Sequence, residues 1–422
     1  MGIIRKILFV SSIYPYPKDN GKKIILSSIF EYFIEKYGSD NIFYYFIGNE
    51  KVENEKKVHL IQKDPNNFIH KVTNIIKYSF LLQRKSIQES LIYNKKYRKD
   101  IEQIIKENNI DYVIYDTIRI SQMFENSEVK LYAKENVYLD DLFSIRYQKM
   151  LDVLEKYPDA DINPLGNFKK YVPNFLLPFV KIKFITKLLL KFERNLIEKR
   201  EVETVNNFYN NLLISNKEVE VLKERSLKEN IAEVRPLLEK RYNYNRSYNG
   251  KPIFIFLGAL NIPHNDFSIC YFIEKNAERL LQDIPTFKLR IIGKNPSDKL
   301  ISLVEKYSEN LELCGYVEDL EAILNSACCM IVPLKFGTGV KLKTLEAFSR
   351  GVPIISTDYG VEGISVNESQ VIIENDIMKF PQHMKLLMDA DNNIKYSEKV
   401  YKFYEENYTK DIVYKMYQQI FK

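Results

Sequence analysis

The chain has 422 residues, 45% of them hydrophobic and 28% charged. It is too long for one ordinary core and composed like a soluble globular protein, so two domains are expected. Its net charge of +6 is too mild to argue for nucleic acid, and neither zinc-finger spacing nor an Arg-rich signature is present. The interrupted apolar start, residues 1–10, reads as a first strand rather than a signal peptide, and no uncharged run approaches the length of a membrane-spanning helix. The basic excess lies in the first half, which fits an anionic partner or a membrane surface met by that half. Cys270, Cys314, Cys328 and Cys329 form no CxxC pair and read as buried free thiols of a reducing compartment.

Taken in chain order, 7–11 is a buried strand, 24–37 a helix, 41–47 a strand, 95–108 a charged helix and 112–115 a strand. A further strand, 137–139, ends at Asp140-Asp141. Such alternation predicts a parallel sheet covered by helices. Residues 151–210 break the rhythm as a basic helical insertion, after which 212–215 resumes as a strand. Within the insertion, Lys183, Lys187 and Lys191 recur every fourth residue in the apolar segment 175–192. That is the pattern of a basic amphipathic helix on an anionic membrane; packing on the first domain or on a partner subunit is the preferred alternative. The polar stretch 236–250 reads as a linker.

The second half starts afresh with strands at 252–258, 289–293, 311–315, 328–334, 354–357 and 371–373, and helices at 266–281 and 317–324. This predicts a second doubly wound sheet, with the final helical stretch 401–422 free to return to the first domain. The boundaries are thus 1–235, linker 236–250, 251–400 and 401–422.

Glycines follow strands at Gly21, Gly258, Gly293, Gly315, Gly337 and Gly339. In doubly wound sheets ligands sit at these carboxyl ends. The densest signal is Gly337-Thr338-Gly339-Val340-Lys341-Leu342-Lys343, leading into a helix with Glu346. Glycines let amides turn toward a ligand, a helix start adds partial positive charge and lysines add full charges, so this loop suits a phosphate. Lys341 and Lys343 could also be solvated helix lysines, and Glu346 a first-turn carboxylate favourable to the dipole. Lys18, Lys22 and Lys23 read as a solvated edge, His264 as a loop residue open to surface or ligand roles, and Asp140 and Asp141 as either an N-cap pair or a catalytic carboxylate. His59, His70 and His383 show no metal-ligand spacing.

The stretches 256–265, 289–296, 314–320, 332–347 and 351–357 resemble the C-terminal domain of retaining GT-B glycosyltransferases, glycosyltransferase family 4. The first half, through 11–21 and 138–147, resembles the family less specifically. The resemblance implies two facing Rossmann-like domains and transfer of a sugar, with retention, from a nucleotide-diphosphate sugar to a hydroxyl acceptor, without a metal or other cofactor. It implies a glycan or lipid-linked acceptor in surface polysaccharide synthesis, and a cytoplasmic enzyme, peripheral on the inner face of the membrane if 175–192 binds lipid. Glu346 matches the second glutamate of the family's E-x7-E motif, which holds the donor ribose; the first falls on Thr338. Lys341 and Lys343 are implied to neutralise the diphosphate, Lys343 also as a catalytic group. Gly21, Gly258, Gly293, Val317, Gly337, Thr338, Gly339 and Val340 are implied to line the donor, and Asp140 or Asp141 to orient the acceptor. A sugar-nucleotide epimerase of similar fold and a non-catalytic partner subunit are the other classes.

Overall fold

The computed structural model describes residues 4–18, 20–157, 182–238, 244, 246–337 and 339–422. The predicted Thr338, residues 175–181 of the basic segment, and 239–243 and 245 of the linker lie outside these residues. The chain divides into two compact units.

The first unit holds a seven-stranded sheet in the order β3-β2-β1-β4-β5-β6-β7. Its strands are β1 (Ile7–Ser11), β2 (Ile42–Ile47), β3 (His59–Lys63), β4 (Tyr112–Asp116), β5 (Lys134–Asp140), β6 (Asn210–Leu213) and β7 (Ile231–Glu233). All pairings are parallel. Central strands are apolar at every position because helices cover both faces: β1 and β2 are buried throughout. The helix Gly21–Tyr37 starts at Asn20, whose side chain accepts the Lys23 amide. It seats Phe30 and Phe33 edge-on against Phe9, with ring centroids 5.1 and 6.0 Å away.

The second unit holds a six-stranded sheet ordered β10-β9-β8-β11-β12-β13. Its strands are β8 (Ile253–Leu257), β9 (Lys288–Ile292), β10 (Leu311–Gly315), β11 (Cys329–Val332), β12 (Ile354–Ser356) and β13 (Ile372–Ile373). Both faces carry a core, one around Phe256, Ile269 and Phe272, the other around Met330, Leu345 and Phe348. Cys270, Cys328 and Cys329 are buried and free, and Cys314 is half-buried. No helix among the described residues is long and apolar enough to cross a membrane.

Several elements differ from expectation for local reasons. Pro263 fits a first helical turn, so the helix runs Pro263–Asp283 and includes His264. The helix predicted at 317–324 begins at Glu321, where Asp319 accepts the Glu321 amide at 2.9 Å. Residue 244 and residues 246–250 of the predicted linker belong to the second unit. Arg246 donates to the carbonyls of Leu324, Asn325 and Ala327 at 2.6–2.9 Å, and Tyr248 to that of Met388 at 3.0 Å.

The return to the first unit begins at Val413, later than residue 401, since the helix Ala390–Tyr408 stays with the second. Tyr414 and Tyr417 pack edge-on against Tyr32, and Phe421 lies 4.8 Å from the Phe33 ring. The Tyr417 hydroxyl donates to the Arg235 carbonyl at 2.6 Å. Tyr417→Phe, which keeps the ring and orphans that carbonyl, is expected to cost about 1 kcal/mol, read as a lowered denaturant midpoint.

Candidate functional site

Each sheet has a switch point, where strand order runs outward in both directions from the first strand. In the second unit it lies between β8 and β11. The loop after β8 carries Gly258 and leads into the helix Pro263–Asp283; the loop after β11 carries Gly337 and Gly339 and leads into the helix Leu342–Phe348. The two loops meet. A Cβ on Gly337, whose φ is +137°, would lie 3.4 Å from His264 Cγ and 3.5 Å from Lys341 Nζ. Gly339, at φ +74°, is also left-handed, and its carbonyl accepts from Lys341 Nζ at 2.7 Å.

Lys343 Nζ donates to Asn265 Oδ1 at 2.8 Å and lies 4.7 Å from the Phe256 ring centroid. Asn265 in turn donates to the Ala259 carbonyl at 3.0 Å. Burial, with Lys341 adding repulsion, pushes Lys343 down to about 7. Burial and the same two lysines hold His264 well below its usual value, so its ring is neutral. Lys341 is 6% exposed; neither lysine is a solvated helix residue. The N-terminus of the Pro263–Asp283 helix receives no side-chain cap at Ile262. A buried and a half-buried lysine beside an uncapped helix start form a site that favours an anion.

The other predicted donor residues of the second unit lie in separate surroundings. Gly293 is required by packing, since a Cβ there would fall 1.9 Å from the Gly258 carbonyl oxygen. Val340 and Val317 are partly buried against the core. Glu346 sits in the second turn of its helix rather than the first, 2.7 Å from Arg350 Nη1. Arg350, 2% exposed, fixes this carboxylate and was not singled out by the sequence, although the i,i+4 spacing is readable.

In the first unit the switch point lies between β1 and β4. Gly21 opens the helix after β1 and brings Lys22 over the ends of β4 and β5. Lys22 Nζ is 2.8 Å from Asp116 Oδ1 and 3.4 Å from Asp140 Oδ2, with 11% of its side chain exposed. Ser11 donates to the other Asp116 oxygen at 2.6 Å. Lys18 pairs with Glu31 at 3.1 Å. Of the expected solvated edge, Lys22 is therefore enclosed in ion pairs distant in sequence, which have no local sequence signal, and Lys18 is in a half-buried pair.

Asp140 has φ +75°, next to a register shift between β5 and β6. This turn separates the adjacent carboxylates. The Asp141 side chain is 0% exposed and accepts from Arg146 Nε at 2.8 Å, whereas Asp140 keeps 12% exposure. Burial would raise Asp140, but Lys22, Arg146 and the Tyr138 hydroxyl hold it below the usual carboxylate range. Burial and the Asp140 charge raise Asp141. Neither aspartate is needed to cap the helix Phe143–Lys156: Glu201 accepts the Ser144 amide at 3.0 Å and Glu218 the Leu142 amide at 3.4 Å. Among the described residues, no cluster of His, Cys, Asp and Glu could hold a metal ion.

Residues 251–390 match the family described as Glycosyl transferases group 1. Over 99% of both chains the sequence is 24% identical to an uncharacterized 44.6 kDa protein in the cps region of Klebsiella pneumoniae. Among solved structures, HepE of Anabaena in complex with UDP superposes with a TM-score of 0.63 at 8% identity, covering 99% of each chain. A TarM variant of S. aureus, in complex with fondaparinux, alpha-GlcNAc-glycerol and UDP, gives 0.58 at 11% identity, covering 99% of this chain and 100% of that one. The fold is thus that of the GT-B glycosyltransferases, with two Rossmann-like parallel-sheet domains. The domain match and the fold together mark the protein as a glycosyltransferase.

Proposed function

We propose that the protein transfers a sugar, with retention, from a nucleotide-diphosphate sugar to a hydroxyl of a growing surface glycan or lipid-linked acceptor. The observation that carries this reading is Lys343, a half-buried ammonium held down to about 7 by desolvation and by Lys341, with Lys341 against Gly337 and Asn265 placing Lys343 at an uncapped helix start. A pyrophosphate placed there relieves the repulsion between the two lysines. As the glycosidic bond breaks, negative charge grows on the departing diphosphate, and fixed positive groups lower that barrier. Glu346, aligned by Arg350, is the candidate for the ribose hydroxyls, because a carboxylate accepts two hydrogen bonds. The donor reading is supported by UDP in the HepE and TarM complexes, and the surface-glycan reading by the relative in a cps region.

Asp140 is the candidate for orienting the acceptor hydroxyl. It is ionised, it retains exposure, and Lys22 fixes it. Asp140→Asn is expected to lower kcat about a hundredfold with donor affinity unchanged. A thermal-shift screen of UDP, GDP and ADP, followed by transfer assays with the matching sugars, tests the reading as a whole. Stabilisation by none of these nucleotides would defeat it.

A further inference from the structure

We propose that one face of the first unit, built from residues 68–82 and from residues 183–192 at the start of the helix Lys183–Val205, docks on an anionic lipid surface. The first segment is turned inside out. It runs as a helix, Phe68–Asn74, then as a π-helical stretch, Ile75–Leu81, before the helix Ile87–Ile92. Asn74 and Ser79 point inward: Asn74 donates to the carbonyls of Ser90 at 3.1 Å and Tyr93 at 2.8 Å, and the Ser79 and Ser90 hydroxyls are 2.8 Å apart. Its apolar residues point outward, with Ile69 72%, Ile76 50%, Phe80 49% and Leu81 75% exposed. A segment meant only for water shows the opposite pattern.

The helix Lys183–Val205 buries Thr186, Leu190 and Ile197 and leaves Phe184 70% and Leu188 52% exposed. The preferred packing role is thus met by one side of the helix while another side stays apolar and open. The Phe80 and Phe192 rings stack at 5.1 Å, which joins the two segments into one face.

The charge around this face selects its occupant. Residues 68–88 contain no acidic residue and carry Lys71, Lys77 and Arg84, Lys85 being turned toward Glu89 and Glu125, and 182–192 contain Lys183, Lys187 and Lys191 but no acidic residue. A second copy seated on this face would bring like charges together. A bilayer with anionic headgroups matches both the exposed side chains and the cations, and lysine stems reach past the apolar rows to the phosphates.

The test is co-sedimentation of the full chain with vesicles of phosphatidylcholine alone and of equal parts phosphatidylcholine and phosphatidylserine. Retention is expected on the anionic vesicles and not on the neutral ones, and it is expected to fall as salt is raised. Ile69→Ser with Leu81→Ser, and separately Lys183→Glu with Lys187→Glu, are each expected to weaken retention by roughly tenfold or more. Because the two exposed apolar sites leave no cavity when truncated, an unchanged melting temperature confirms that the variants are folded. Equal retention on both vesicle types overturns the proposal, as does a concentration-dependent dimer that the same variants abolish without any vesicle binding.

Discussion

Lys343→Met is expected to weaken nucleotide-diphosphate binding by roughly ten- to a hundredfold and to lower kcat by a further ~10²-fold or more. The first factor is the loss of a charge-assisted hydrogen bond from a half-buried cation; the second is the loss of a positive group where leaving-group charge accumulates. Methionine keeps the length and apolar stem, so the packing on Phe256 is retained. The free variant is expected to be at least as stable as the parent, because an ammonium held down to about 7 is an unfavourable charge. The pH dependence separates this from a general folding defect. In the parent, the unfolded chain holds the Lys343 proton up to its ordinary value, about 10.4, whereas the folded chain releases it near 7. Stability therefore rises with pH across that window, and the rise disappears in the variant. Ligand binding runs the other way. A diphosphate restores the charged form, so affinity falls as pH climbs above about 7. At pH 8 binding should take up close to one proton, roughly the fraction given by that value. Calorimetry in buffers of different ionisation enthalpy measures it, and an uptake that persists in Lys343→Met would assign the proton elsewhere.

Arg200→Met is expected to cost about 3–5 kcal/mol of stability. The Arg200 side chain, 7% exposed, reaches Glu89 at 3.0 Å and also contacts Glu125 and Glu203. Glu89 is 0% exposed and its other oxygen accepts the Ser86 amide at 2.7 Å, capping the helix Ile87–Ile92. Arg200 thus fastens one helix of the first unit to another through a buried charge. Without it, Glu89 stays enclosed and Glu125 keeps Lys85 as a nearby cation. Burial already raises Glu125 in the parent, and loss of the Arg200 charge raises it further. The stability this leaves is present at low pH and lost as pH rises through the raised value. The deficit relative to the parent should therefore be largest at alkaline pH and shrink toward pH 5, a trend that chemical denaturation at several pH values reads directly. A deficit independent of pH would point to lost packing instead of stranded carboxylates.

The elements legible in the sequence were those whose signal is local. β1 and β2 are buried throughout and β8 in its middle, and all three read as apolar runs. The glycine loop before Lys341 announces left-handed backbone, and Gly337 and Gly339 are indeed left-handed. The two edge strands of the first sheet were missed, whereas those of the second, β10 and β13, were read. β3 reads His59-Leu-Ile-Gln-Lys63 and is exposed or half-buried along its length, and β7 has three residues. An edge strand is held by one neighbour and needs no apolar run. The ion pairs of the candidate site were illegible for another reason. Lys22 meets Asp116 and Asp140 across about a hundred residues of chain, so nothing near residue 22 says that this lysine is internal. The choice between Asp140 and Asp141 likewise depends on one positive φ and on Arg146, which alternation along a strand does not reveal.

The aromatic return of Val413–Lys422 sets an order of events during synthesis. The second unit has all of its strands once Ile373 is made. The first unit, though translated earlier, lacks Tyr417 and Phe421 until residues 413–422 have left the ribosome. The earlier-made unit is therefore the later one to close, which reverses the usual N-terminal-first sequence. A nascent chain stalled between these points exposes Tyr32 and Phe33, the kind of surface on which chaperones and proteases act.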